Sequence, residues 1–242
     1  MSEKEFQFPT EFVDLPSEGK IYPKDHPLSS GKVEMKYMTA KEEDILTNQN
    51  YIEKGIVLDR LIEALTMNKF DVKDIHPGDK NAIFISARIL GYGSEYKFEY
   101  AGKEYTIDLT KVKNKPFDVK TLSDEGYGTF EMPSNGTIVE YKHLTEKDVD
   151  KITQEVLGIS KISKGAAPEI TTKLKHQIIS VNGDNNKSEI RKYVDTFLLA
   201  RDSRALRNHI RDTAPDVDLN YITDDGTEIS IPITINFFWP DL

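Results

Sequence analysis

The sequence predicts an α+β protein of two related lobes, each made of a short strand, a set of helices and a terminal β-hairpin. Three observations predict it: a strand-to-helix unit that occurs twice, apolar residues at helical spacing after each copy, and alternating segments that close each half. The unit is Val33-Glu34-Met35-Lys36-Tyr37-Met38-Thr39-Ala40-Lys41-Glu42-Glu43-Asp44, and its pattern of Val-Glu-x-Lys-x-apolar-Thr-x-Lys-acid-x-Asp returns from Val139 to Asp150. In each copy Thr39 or Thr145 is placed to cap a helix. Glu42 or Asp148, three residues on, reaches back to the cap and sits where the helix dipole favours negative charge. Half of the positions are identical, which argues for duplication over the chance recurrence of a cheap capping motif.

Composition narrows the function. Among 242 residues, 41 acidic side chains outnumber 32 basic ones, for a net charge of −9. Such a field repels phosphate backbones and anionic membranes, and the densest basic spot, Lys111-Val112-Lys113-Asn114-Lys115, reads as a solvated linker. There is no cysteine, which excludes disulfides and thiolate metal sites. No apolar run approaches the roughly 18 residues of a membrane span, and Met1 to Glu5 is polar and acidic, so a cytoplasmic protein is expected.

Four segments follow along the chain. Residues 1–30 read as an extended proline and aromatic arm, because Pro9, Pro16, Pro23 and Pro27 fix the backbone and remove donors, and its aromatics pack either over its own domain or on a neighbour. Residues 31–110 form the first α+β repeat. Within it Val57, Leu58, Leu61, Ile62 and Leu65 make one helical face, a further helix runs from Gly78-Asp79 to Gly91, and a hairpin turns at Ala101-Gly102. Residues 111–135 read as a linker. Residues 136–242 are the second repeat, with a helix over 169–181 on the stripe Ile170, Leu174, Ile178 and Val181. It continues with a helix capped by Ser188, a helix from Asp202 to Arg211 carrying Arg204, Arg207 and Arg211 on one edge, a hairpin at Asp224-Asp225-Gly226 and an aromatic tail. Phe84 to Arg88 and Phe197 to Arg201 look like equivalent helical stretches of the two repeats.

No arrangement of reactive residues points to catalysis. The five histidines, at 26, 76, 143, 176 and 209, lack ligand spacing, and there is no phosphate loop, nucleophile elbow or dinucleotide fingerprint. Neither a metal nor a cofactor is expected, nor an enzymatic activity. What remains is a surplus of large apolar side chains at the two ends. Phe6, Phe8, Phe12 and Tyr22 in the arm, with Phe238, Trp239 and Pro240 in the tail, are the candidate partner-binding residues. Phe237 is expected to close the core of the second repeat.

Several stretches resemble a family of baseplate proteins of contractile-tailed, T-even-like bacteriophages, baseplate hub subunits and hub assembly proteins. They are Leu15-Pro16-Ser17-x-Gly19-x-x-Tyr22-Pro23, His26-Pro27-Leu28, the run from Met38 through Thr39-Ala40-Lys41-Glu42-Glu43-Asp44 to Asn48, and the ending Phe237-Phe238-Trp239-Pro240. The resemblance implies a structural or chaperone-like assembly role without enzymatic activity. Its partners would be other tail and baseplate proteins, not nucleic acid or membrane, with the chain oligomeric within an assembly. Its location would be the host cytoplasm during assembly, with the virion baseplate as a second location. Relatives in that family carry Cys-x-x-Cys pairs at hairpin tips. Here the tips read Tyr100 to Lys103 and Thr223 to Gly226, so no zinc role transfers. An enzyme such as a hydrolase whose site is assembled only in the fold, and a host-directed regulatory protein, stay open as alternatives.

Overall fold

A computed structural model describes residues 9–162, 167–223 and 226–238. Both copies of the repeat are strand-to-helix units. In the first, β2 (Lys32–Lys36) leads into α1 (Ala40–Leu46); in the second, β6 (Ile138–Tyr141) leads into α5 (Glu146–Ile162). The Thr39 N–H and hydroxyl both donate to Glu42 Oε2, at 2.9 and 2.7 Å, and Lys36 Nζ lies 2.6 Å from Glu42 Oε1. The second copy repeats this with a shorter acid: Thr145 N–H donates to Asp148 Oδ2 at 3.3 Å, and Lys142 Nζ lies 2.7 Å from Asp148 Oδ1. The repeated lysine and acid thus tie each strand to the helix that follows it.

A second pair of contacts shows how the halves correspond. The strand before β2 is β1 (Thr10–Asp14), antiparallel to it; the strand before β6 is β5 (Gly128–Glu131), likewise antiparallel. Each leading strand runs into Pro-Ser-x-Gly, at Pro16 to Gly19 and Pro133 to Gly136. Ser17 donates its N–H to Asp79 Oδ1 at 2.9 Å and its hydroxyl to Oδ2 at 2.6 Å. Ser134 makes the same two bonds to Asp202, its N–H reaching Oδ1 at 3.2 Å. Asp79 is the third residue of α4 (Pro77–Tyr92) and Asp202 the third residue of α8 (Ala200–Asp212). α8 thus stands to Ser134 as α4 stands to Ser17. This corrects the pairing of Phe84–Arg88 with Phe197–Arg201: the former lies within α4, while the latter spans the exit of a π turn (Tyr193–Phe197) and the entry of α8.

The remaining elements fill in between. In the first half they are α2 (Gln49–Glu53) and α3 (Val57–Leu65), then, after α4, β3 (Glu95–Tyr100) and β4 (Lys103–Asp108). The turn Ala101-Gly102 takes φ of 52° and 76°, the left-handed pair that matches strand twist. In the second half come α6 (Glu169–Gln177), β7 (Ile178–Val181) and α7 (Lys187–Lys192), then β8 (Asn220–Ile222) and β9 (Glu228–Ser230) after α8. The helix expected over 169–181 ends at Gln177. Ile178 and Val181 continue its stripe in sequence, but the free edge of β6 pairs with them as a strand. The cap of α7 is Asn186, whose Oδ1 accepts from the Ser188 N–H, rather than Ser188 itself. The class is α+β with small antiparallel sheets.

Two principal hydrophobic cores organise these elements, and their membership corrects the segment boundaries. The larger core takes Val13, Leu15, Tyr22 and Leu28 from the expected arm, so residues 9–30 lie over their own half, the first of the two placements the sequence left open, and are part of the first unit. It also takes Val217, Ile229, Ile231, Phe237 and Phe238. The final hairpin and its aromatics hence cross back and close the first core, not the second. Three carbonyls, those of Phe237, Gly93 and Glu95, accept from the guanidinium of Arg88, which is 1% exposed, and Phe237 packs 4.8 Å from Tyr96. The smaller core joins Met132, Val139, Tyr141, Leu174 and Leu206. Residues 111–135 are more than a linker: they contribute β5 and Met132, and Lys113 and Lys115 bond through their backbones to Asp218 and Asp216.

Candidate docking surface

The candidate contact residues divide by burial. Tyr22 was expected to meet a partner, yet its hydroxyl donates to Asp79 Oδ2 at 2.7 Å and accepts the His76 N–H at 3.0 Å inside the protein. Burial, reinforced by the charge of Asp79, pushes its pKa well up, and burial also raises Asp79. Ser17, Tyr22, His76 and Asp79 form a satisfied buried latch holding the Pro16 turn on the start of α4. Phe238 is likewise withdrawn: it is fully buried, edge-on to Phe84 at 5.8 Å and Phe237 at 5.2 Å. Both assignments are corrected by the same cause, the need of the first core for apolar volume from the chain ends. Phe6, Phe8, Trp239 and Pro240 lie outside the described residues.

Phe12 is the member that remains at the surface, 65% exposed on β1. Among the described residues β1 has one partner, β2, so its other side is a sheet edge. The bonds Tyr37 N–H to Pro9 O and Leu15 N–H to Gly31 O set the phase of the ladder, which turns the backbone groups of Thr10, Phe12 and Asp14 away from β2. Beside that edge lies a groove of about 380 Å³, lined by Phe12 and Val13 of β1, Ile85 and Ile89 of α4, and Leu109 and Val112 after β4. Glu11 and Asp14 stand on the same lining, Glu11 accepting from the Tyr37 hydroxyl at 3.3 Å and Asp14 paired with Lys32 at 3.2 Å. Sequence reasoning found Phe12 but missed the groove, because Ile85 and Ile89 reach it only through tertiary packing.

Outside the groove, three histidines sit in an aromatic cluster. His76 and His143 meet edge to face at 5.6 Å, Tyr141 lies 5.7 Å from His143, and His209 lies 5.6 Å from Tyr141. Burial depresses His76 to about 3 and His143 to about 4. Asp79, held by two hydroxyls and an amide, has no histidine within its hydrogen bonds, so the latch lacks a serine–base relay. Among the described residues no group of three or more His, Asp or Glu is placed to hold a metal ion, and no helix is long and apolar enough to cross a membrane. Compared with protein-family profiles, curated proteins and solved structures, the chain finds no match.

Proposed function

We propose that the chain is a structural or chaperone-like assembly protein of a contractile phage tail baseplate, acting by binding other tail proteins through the β1 edge. The observation that carries the binding reading is the conjunction of an open strand edge, an exposed Phe12 and an apolar groove directly beside them. An extended segment of a partner can add to such an edge, its backbone meeting Thr10, Phe12 and Asp14 and its alternate side chains entering the groove. Glu11, which has no ion pair among the described residues, favours a segment carrying a basic residue opposite it. The phage assignment is supported by the resemblance of the Leu15 to Tyr22, Met38 to Asn48 and Phe237 to Pro240 stretches.

Co-purification of the tagged chain from phage-infected cells tests both parts. Contractile-tail proteins should accompany the wild type. The variant Phe12→Lys should fold with an unchanged melting temperature and lose the complex by about 2 kcal/mol, roughly thirtyfold. Recovery of no tail protein removes the baseplate reading. Equal recovery with Phe12→Lys moves the contact away from β1.

A further inference from the structure

We propose that the concave face enclosed by α5, α6, β7 and α7 binds a small phosphate-bearing molecule, a site independent of the tail-protein reading. Basic side chains converge there on a chain whose acids outnumber its bases: Lys142, Lys151, Lys175, His176, Lys187 and Arg191 line a cleft of about 500 Å³ against a single carboxylate, Asp148. The basic groups form two tiers. At the inner tier Lys142 pairs with Asp148 at 2.7 Å, Lys175 with Asp195 at 2.6 Å and His176 with Glu155 at 2.7 Å, all on partly buried basic side chains. At the rim the side chains of Lys151, Lys187 and Arg191 are exposed and, among the described residues, make no hydrogen bond or ion pair. Lys151 adds its charge to the field at Asp148, which Lys142 already pairs, so a multiply charged anion in the cleft would find Lys187 and Arg191 free of carboxylate partners among the described residues.

The rest of the lining sets the class of ligand. Ile178, Ile179 and Ile190 supply an apolar wall beside the cations, suited to the organic body of a phosphate ester. The volume lies within the range of small-molecule sites. A small phosphate ester fits within a cleft of this volume, whereas a nucleic-acid backbone would have to continue past it. Local chain geometry explains why the residues meet. β7 begins where α6 stops, which carries Lys175 and His176 to one wall, and Asn186 then caps α7 so that Lys187 and Arg191, four apart, share the facing wall.

Calorimetric titration of the full chain with inorganic pyrophosphate and with ATP, at low and at physiological ionic strength, tests the site. Both probes should bind saturably, more weakly as salt screens the cations. The double variant Lys187→Glu with Arg191→Glu should bind at least about tenfold more weakly, while Lys111→Glu with Lys113→Glu, outside the cleft, should match the wild type. If the first double variant melts below the wild type, Lys151→Gln gives the same comparison at an exposed rim position. Absence of saturable binding up to about 1 mM of either probe overturns the proposal. So does equal loss in the cleft variant and the control pair, or an oligonucleotide that outcompetes both probes with an affinity growing with its length.

Discussion

Asp79 carries more of the fold than its sequence neighbourhood suggests. It lies 62 residues from Ser17, and nothing local in Gly78-Asp79-Lys80 announces that partnership. The Thr39–Glu42 contact was legible because both groups lie within one helical turn, and the Thr145–Asp148 contact for the same reason. The Ser–Asp latches left a fainter trace, the recurrence of Pro-Ser-x-Gly ahead of each unit, which gains meaning only once each serine is seen on its aspartate. Asp79→Ala removes the acceptor of three buried donors, the Ser17 N–H and hydroxyl and the Tyr22 hydroxyl. At about 1–3 kcal/mol for a buried group left unsatisfied, a loss of at least about 3 kcal/mol is expected in chemical denaturation; a loss under 1 kcal/mol would contradict the latch. A second residue-scale prediction concerns pH. His76 and His143 have folded pKa values of about 3 and about 4, below the ordinary 6.5, so the unfolded chain takes up protons first as pH falls. Their neutral forms cost nothing above pH 6.5, and stability drains away from there down toward pH 4, by about 2 kcal/mol per histidine at pH 5. Glu42 and Asp148, whose pKa values are lowered, act in the same direction but at more acid pH, while the raised pKa of Asp79 opposes them. His143→Phe, among Tyr141, His76 and Phe117, should lose distinctly less stability between pH 7 and 5 than the wild type when urea midpoints are compared.

At the scale of elements, periodicity located α3, α4 and both hairpins, because each announces itself over a few adjacent residues. It failed at α6 and β7. Ile170, Leu174, Ile178 and Val181 fit a helix as well as any stripe in the chain, and the decision was made by β6, which already pairs with β5 on one side and offers its other edge to Ile178 through Val181. Long-range pairing overrode local preference. The return of the C-terminal segment to the first core was equally invisible, since hairpin alternation says nothing about which core a hairpin covers. One residue does register that return. A Cβ added at Gly78 would stand 2.0 Å from the Pro215 carbonyl oxygen, so only glycine lets the segment entering the last hairpin lie across the start of α4. Gly78→Ala should therefore cost about 1–3 kcal/mol by forcing that segment outward, despite alanine's better helix propensity. Faster proteolysis within 214–222 should accompany it, and an unchanged or raised melting temperature would show that the close approach does not matter.

For the whole molecule, the two cores are joined by charge as well as by chain. The start of α5 faces the first half through Lys80 with Asp59 and Glu146, at 2.5 and 2.7 Å, and through Lys147 with Asp74 at 3.0 Å. The charge is unevenly spread. Residues 136–216 hold 14 basic and 12 acidic side chains, so the acidic excess resides in the remainder of the chain, which includes the β1 edge. A partner segment for that edge is expected to carry a basic residue facing Glu11, and this division shows in a count over segments of the sequence, not in the net charge of the whole. The measurement that tests the β1 account most directly is amide hydrogen exchange of the full chain with and without purified baseplate proteins. The account predicts new protection at the outward amides of Phe12 and Asp14 on β1, with exchange in α5 and α7 unchanged. Protection confined to other elements, or none at any tail protein concentration that saturates a pull-down, would contradict it.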